Sequence, residues 1–194
     1  MIAAALATLP EGTGDDAPAR PSGQRRRRVL AAAAAVVIPA VVAAVALAAF
    51  GVATVRNDSM TPTLRAGDHV VFDRWSTPSR GDIVLLVDRE GWSGTPGSIL
   101  VKRVVGVAGD VVVCCEAGGG RILVNGAPTD EAYAGDRRPG GDIPFRVQVP
   151  DGTVWVMGDN RAASADSRLS LSQPSHGAVP LADLRGTARL WWSG

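Results

Sequence analysis

Of the chain's 20 basic residues, 19 are arginine and one, Lys102, is lysine. Lysine can do one thing that arginine cannot: lose its proton and act as a base near neutral pH. Lys102 sits in Ile99-Leu100-Val101-Lys102-Arg103-Val104-Val105. On a strand, side-chain alternation puts Leu100 and Val104 on its face and Arg103 on the other. An amine held among apolar side chains has its charged form disfavoured, so its pKa falls. The same segment also suits a lysine that lays its stem on apolar surface and keeps its head in water. Two other blocks supply hydroxyls. Ser59-Met60-Thr61-Pro62-Thr63-Leu64 lies upstream, and Gly158-Asp159-Asn160-Arg161-Ala162-Ala163-Ser164-Ala165-Asp166-Ser167-Arg168 lies downstream, dense in polar groups and turn formers. A hydroxyl nucleophile needs a base within hydrogen-bond reach, and the base needs a group that orients it. Ser59, Lys102 and a second serine can supply those parts.

Other chemistries find less material. His69 falls at the edge of an apparent strand and His176 in the polar run Ser-Leu-Ser-Gln-Pro-Ser-His-Gly. Neither context offers the buried, oriented imidazole of a Ser-His-Asp triad, and both read as surface residues. Cys114 and Cys115 are adjacent. Neighbouring Cα atoms lie about 3.8 Å apart across a trans peptide, below the usual disulfide span of roughly 4.4–6.8 Å. On a strand the two side chains also diverge, which disfavours joint metal chelation. They read as two small apolar strand residues, with their redox state open. No zinc motif can be assembled, and no metal or cofactor is expected. The Ser-x-x-Lys signature of penicillin-binding enzymes is excluded, because Ile99 stands three residues before the only lysine.

The elements that must position these groups are strands. Apolar runs rich in Val and Ile are bounded by Gly, Pro, Asp and Asn at 68–74, 82–87, 98–107, 110–115, 121–125, 145–149, 153–157 and 184–192. Ile122-Leu123-Val124-Asn125-Gly126 predicts a strand entering a tight turn. Strands without intervening helices predict an antiparallel sandwich or barrel. The formal net charge of +1 argues against a nucleic-acid partner. Residues 1–28 read as a flexible tail ending in Arg25, Arg26, Arg27 and Arg28. From Val29 to Ala53 no side chain is charged or hydrogen-bonding. A membrane-spanning helix needs roughly 20 such residues, and arginines before it place the N-terminus in the cytoplasm. Residues 56–194 would then form one extracytoplasmic domain. A cleaved signal peptide is the competing reading, although secretory apolar cores run only about 7–15 residues.

In four ordered blocks the chain resembles the type I signal peptidases, membrane-bound Ser/Lys proteases that remove signal peptides from exported proteins. The blocks are S-M-T-P-T-L at 59–64, G-D-I-V at 81–84, K-R-V-V-G-V-A-G-D at 102–110 and G-D-N-R-A-A-S-A-D-S-R at 158–168. The run from Cys114-Cys115-Glu116 through Val124-Asn125-Gly126 to Glu131-Ala132-Tyr133 is similar to the form found in high-GC Gram-positive bacteria. The resemblance implies a mainly β, antiparallel, partly open barrel behind one N-terminal transmembrane helix. It implies Ser59 as nucleophile, Lys102 as general base and Ser164 as the hydroxyl that orients the amine. Asp166 and Arg168 would pair to brace their loop, with Arg103 a candidate to join them, and Met60 would pack beside the nucleophile. The Ser59 N–H would donate to the oxyanion. Several family members place a second donor, a Ser hydroxyl, two residues before the nucleophile; Asn57 stands there, either as an amide donor or as a plain turn residue. The implied partners are the bilayer and signal peptides with small residues at the first and third positions before the bond. Trp191 and Trp192 suit a membrane interface or a core strand end. Two features depart from the family: Val107-Ala108 replaces a common Leu-Pro, and residues 169–176 form a polar insertion. A self-cleaving repressor-type protease would need a DNA-binding domain where this chain has an apolar segment. A catalytically silent β-domain has no evident use for both Ser59 and Lys102.

Overall fold

The computed structural model describes residues 23–117, 120–134, 140–141 and 143–194. The apolar run begins as a helix, α1 (Gly23–Ala49), long and apolar enough to cross a membrane. Pro39 lies inside it. The run does not stay helical to its end: Phe50–Thr54 form a strand, β1, in which exposed and half-buried residues alternate. The change of element is sealed by Arg74, whose guanidinium donates to the carbonyls of Leu47, Ala48 and Phe50. The Leu47 and Ala48 carbonyls are among those left without intrahelical partners at a helix end, and Phe50 is the first residue of the strand.

Ten more strands follow: β2 (His69–Asp73), β3 (Ile83–Val87), β4 (Ile99–Val107), β5 (Val111–Cys114), β6 (Ile122–Val124), β7 (Ala127–Pro128), β8 (Phe145–Gln148), β9 (Thr153–Met157), β10 (Val179–Pro180) and β11 (Leu184–Trp192). The larger sheet runs β1-β2-β11-β3-β4-β9-β10 and the smaller β7-β6-β5-β8, with every recorded pairing antiparallel. The mainly β architecture with a curled, partly open antiparallel sheet is the one expected. The described residues outside α1 hold only short 3-10 turns as helix. Asn125 and Gly126 both have positive φ, 54° and 83°, and connect β6 to β7 as the Asn-Gly dipeptide predicts.

Every residue of β3 is buried, because the sheet is covered on both faces. Ile83 and Leu85 face a cluster with Met60, Leu64, Val70 and Phe72; Val84 and Leu86 face Leu100, Val104, Val154 and Val156. The small sheet closes a third cluster around Trp155, where Val112, Ile122 and Val147 meet Met157. Gly106 is what lets the two sheets approach: a Cβ there would lie 2.7 Å from Val112 and 3.0 Å from Val149. β4 also shifts register between Val104 and Gly106 against β9.

Two expectations change. Cys114 and Cys115 are joined as a disulfide across a cis peptide, with their Cα atoms 3.0 Å apart. The argument for two independent strand residues assumed trans spacing and continued alternation, but β5 ends at Cys114. Trp191 and Trp192 are exposed at 45% and 49%, so they are not a core strand end; the Trp192 ring packs on His69. The polar insertion folds back on the domain. Ser170 accepts from the Trp92 indole, and the carbonyl of His176 accepts from the Trp155 indole. The His176 side chain itself is exposed, and His69 is half-buried beside Thr54.

Candidate active site

Ser59 sits in the turn that follows β1, a segment pinned by Val55, whose N–H donates to the Asp68 carbonyl and whose carbonyl accepts from Gly67 N–H. Leu64 N–H donates to Met60 carbonyl and winds the turn, and both side chains are fully buried below it. Met60 therefore lies next to Ser59 in the chain, anchoring that turn to the core. Lys102 lies mid-strand in β4, opposite Val84 on β3. Its face carries Leu100 and Val104, as alternation predicts, and only 1% of Lys102 is exposed. Its Nζ donates to Ser59 Oγ at 2.7 Å. Burial pulls the Lys102 pKa down from 10.5 to about 8, against the opposing pull of the Asp166 and Asp88 carboxylates. A largely buried amine on a hydroxyl, with a proton held this loosely, is the arrangement a general base needs.

The 158–168 block closes over this pair. Asn160 fastens it to the nucleophile turn with three bonds: its N–H donates to Ser59 carbonyl at 3.0 Å, and its side-chain amide donates to Asp58 carbonyl and Thr61 Oγ1, each at 3.1 Å. Asp166 holds the other end. It accepts from Gly158 N–H at 3.1 Å and from the Arg168 guanidinium at 2.8 and 2.9 Å. Gly158 threads a gap with no room for a side chain, since a Cβ there would collide with Ser164 Oγ and the Ser59 carbonyl.

Three expected roles come out differently. Ser164 does not bond Lys102: its Oγ is buried beside Gly158 with no hydrogen-bond partner, because the Lys102 amine is turned onto Ser59 instead. Arg103 does not join Asp166 and Arg168. Pointing to the opposite face from Lys102, it meets Asp159 in a two-pronged pair at 2.6 and 2.8 Å. Asn57 does reach the Ser59 amide, but with its oxygen, accepting from Ser59 N–H at 3.2 Å. It thus occupies the amide it was expected to assist.

The sequence reading assigned no role to a second layer of residues. Thr63 donates to Asp159, and Arg103 lies 4.0 Å over the Tyr133 ring. Arg161 donates to Gly158 carbonyl and to Glu131 at 2.7 Å, with the Tyr133 ring 5.8 Å away. Glu131 in turn accepts from Ile122 N–H on β6. Glu131 and Tyr133 thereby tie the small sheet to the loop over the dyad. The signal for them was the Glu-Ala-Tyr run itself, whose partners lie some thirty residues away in sequence. The Glu131–Arg161 pair is almost fully buried on both sides. Glu131→Gln is expected to cost on the order of 3 kcal/mol of stability, read as a lowered melting temperature.

An open groove of about 630 Å³ is lined by residues 52–57, by Gly97, Ser98, Ile99 and Val101, and by Phe72 and Leu85; Asn57 and Val101 bring it within two residues of Ser59 and one of Lys102 in the chain. Among the described residues no cluster of side chains is suited to hold a metal ion.

Comparison with known proteins agrees with this geometry. Residues 27–193 match the family described as signal peptidase, peptidase S26. Signal peptidase I of Mycobacterium tuberculosis is 32% identical over 185 residues, covering 70% of this chain and 62% of the relative. A probable signal peptidase I of Mycobacterium leprae is 30% identical over 192 residues, covering 70% and 66%. Probable signal peptidase I-1 of Synechocystis is 37% identical over 146 residues, covering 68% and 71%. The chain thus spans somewhat less than two thirds of the mycobacterial relatives' length. With a match that takes in all but the first 26 residues and the last, the chain belongs to the signal peptidase family, peptidase S26.

Proposed function

We propose that the chain is a membrane-anchored serine endopeptidase that cleaves signal peptides from exported preproteins with a Ser59/Lys102 dyad. The observation that carries this reading is the 2.7 Å contact between a buried lysine amine and a serine hydroxyl. Family membership and the relatives named signal peptidase I support the reaction and the substrate class. The neutral Lys102 amine takes the Ser59 proton as Oγ attacks the scissile carbonyl carbon. The resulting ammonium gives that proton to the leaving amine as the C–N bond breaks, leaving an ester on Ser59. The amine then deprotonates a water that cleaves the ester and restores the hydroxyl. Ser164, a buried hydroxyl without a partner, takes up the amine's hydrogen bond when Ser59 Oγ is acylated and holds Lys102 on the incoming water. Substrate would lie along the groove, with small side chains at the first and third positions before the bond.

α1 serves as the anchor, with Arg25 to Arg28 on the cytoplasmic side and the β-domain outside. The exposed Trp191 and Trp192 suit the headgroup zone, where indoles are enriched.

Cleavage of a preprotein in detergent tests the dyad. Ser59→Ala and Lys102→Arg are each expected to lose about a thousandfold or more in kcat/KM; full activity in Lys102→Arg would remove lysine as the base. Because the amine must be neutral to act, kcat/KM should rise with pH through about 8 and level off above it. A profile flat from pH 6 to 10, across about a ten-thousandfold change in proton activity, would contradict a base with this pKa. Since Asn57 presents an acceptor to Ser59, Asn57→Ala should keep kcat within about threefold, whereas loss of a true oxyanion donor costs about a hundredfold or more.

A further inference from the structure

The groove is built from two kinds of surface. Phe72, Leu85 and Val101 give it apolar surface, while Arg56, Arg74 and Arg185 also line it and, among the described residues, no acidic one does. Of the described domain arginines outside the groove, Arg80, Arg89, Arg103, Arg121, Arg161, Arg168 and Arg189 each meet a carboxylate, while Arg65 and Arg146 do not. None of the three groove arginines forms an ion pair among the described residues. Arg74 spends its hydrogen bonds on the backbone carbonyls of Leu47, Ala48 and Phe50. Arg56 and Arg185 have no recorded hydrogen-bond partner and are exposed. Arg56 immediately precedes Asn57, whose side chain is on the Ser59 amide, so it stands at the catalytic end of the groove. Among the described residues, three arginines and no carboxylate line a groove that includes Asn57 and Val101, the close chain neighbours of Ser59 and Lys102.

We infer that this groove discriminates substrates by charge, favouring peptides with an Asp or Glu side chain in the stretch that it binds, and that Arg56 and Arg185 are the residues that read it. The inference rests on the proposed endopeptidase activity and adds a specificity that small-residue pockets cannot supply. A peptide filling the groove displaces water from around the guanidiniums. That lowers the local dielectric and strengthens attraction for a carboxylate, which Arg receives in a two-pronged geometry. The same field repels a lysine at the same place. Charge attraction of this kind acts on binding, so it appears in KM and leaves kcat unchanged.

The test uses the full chain in detergent and a series of signal-peptide substrates. Each carries a single Glu, Gln or Lys at one position around the bond, the first and third positions before it kept as Ala. At the position read by the arginines, Glu is expected to lower KM about fivefold relative to Gln, and Lys to raise it by a similar factor. The difference should close at about 1 M salt, where charges a few ångströms apart are screened. It should also close in the Arg56→Gln/Arg185→Gln double variant and persist in Arg56→Lys, which keeps the charge. Equal KM values for Glu, Gln and Lys at every position, with all peptides cleaved, overturn the charge reading and leave the endopeptidase standing. A series of which no member is cut by the wild type removes both.

Discussion

The burial of one amine governs the rest of this structure. Lys102 is held in the middle of a strand with apolar neighbours on its face and a single hydroxyl at its tip. A pKa lowered from 10.5 to about 8 corresponds to ~3 kcal/mol of preference for the neutral form in the folded state. The unfolded chain keeps the ordinary value, so below pH 8 folding carries this cost in full. The cost fades as pH rises from 8 towards 10.5, and stability rises with it. The fold must supply that energy from elsewhere, which is why the strand opposite Lys102 is buried on both faces. The Asp166 carboxylate acts in the other direction, towards the charged amine, and its own pairing with Arg168 limits how far it does so.

Around the amine, charge is arranged in pairs that hold backbone rather than reach the reacting atoms. Asp166 and Arg168 fix Gly158, Asp159 and Arg103 fix the back of β4, and Glu131 and Arg161 fix the small sheet against both. Each lies within a few residues of Ser59, Lys102 or Ser164 in sequence or through one hydrogen bond. Ser59 and Lys102 are therefore framed by one ion pair within the 158–168 loop and two that join it to separate stretches of chain.

Much of this was legible beforehand, and what was hidden has a physical reason. Lys102 announced itself by alternation, since Leu100 and Val104 fixed its face, and Asn125-Gly126 fixed its hairpin. β1 was hidden because Phe50–Thr54 continues an apolar run with no change in composition; the switch from helix to strand depends on pairing with β2 and on Arg74, neither of them local. β7 and β10 are two residues long, each ending in proline, too short for a period to appear. The partner choice of Arg103 was invisible because it depends on the Arg103 side chain meeting Asp159 after β9 has paired with β4. Ser164 Oγ lies buried beside Gly158, yet its bonding depends on which way one flexible amine is turned, and no spacing rule encodes that.

The bond from the Ser59 amide to Asn57 gives the site a placeholder. An incoming carbonyl must evict a neutral oxygen and then offers only another neutral oxygen, an exchange close to even. A tetrahedral intermediate brings a full negative charge, and hydrogen bonds to ionised acceptors are roughly twice as strong. In the proposed mechanism the same N–H would be nearly indifferent to resting substrate and strongly drawn to the reacting one, the differential that raises a rate rather than an affinity. For inhibitor chemistry this means that a compound presenting an uncharged carbonyl at Ser59 gains little there, while one that becomes an oxyanion or boronate-like adduct inherits the whole difference.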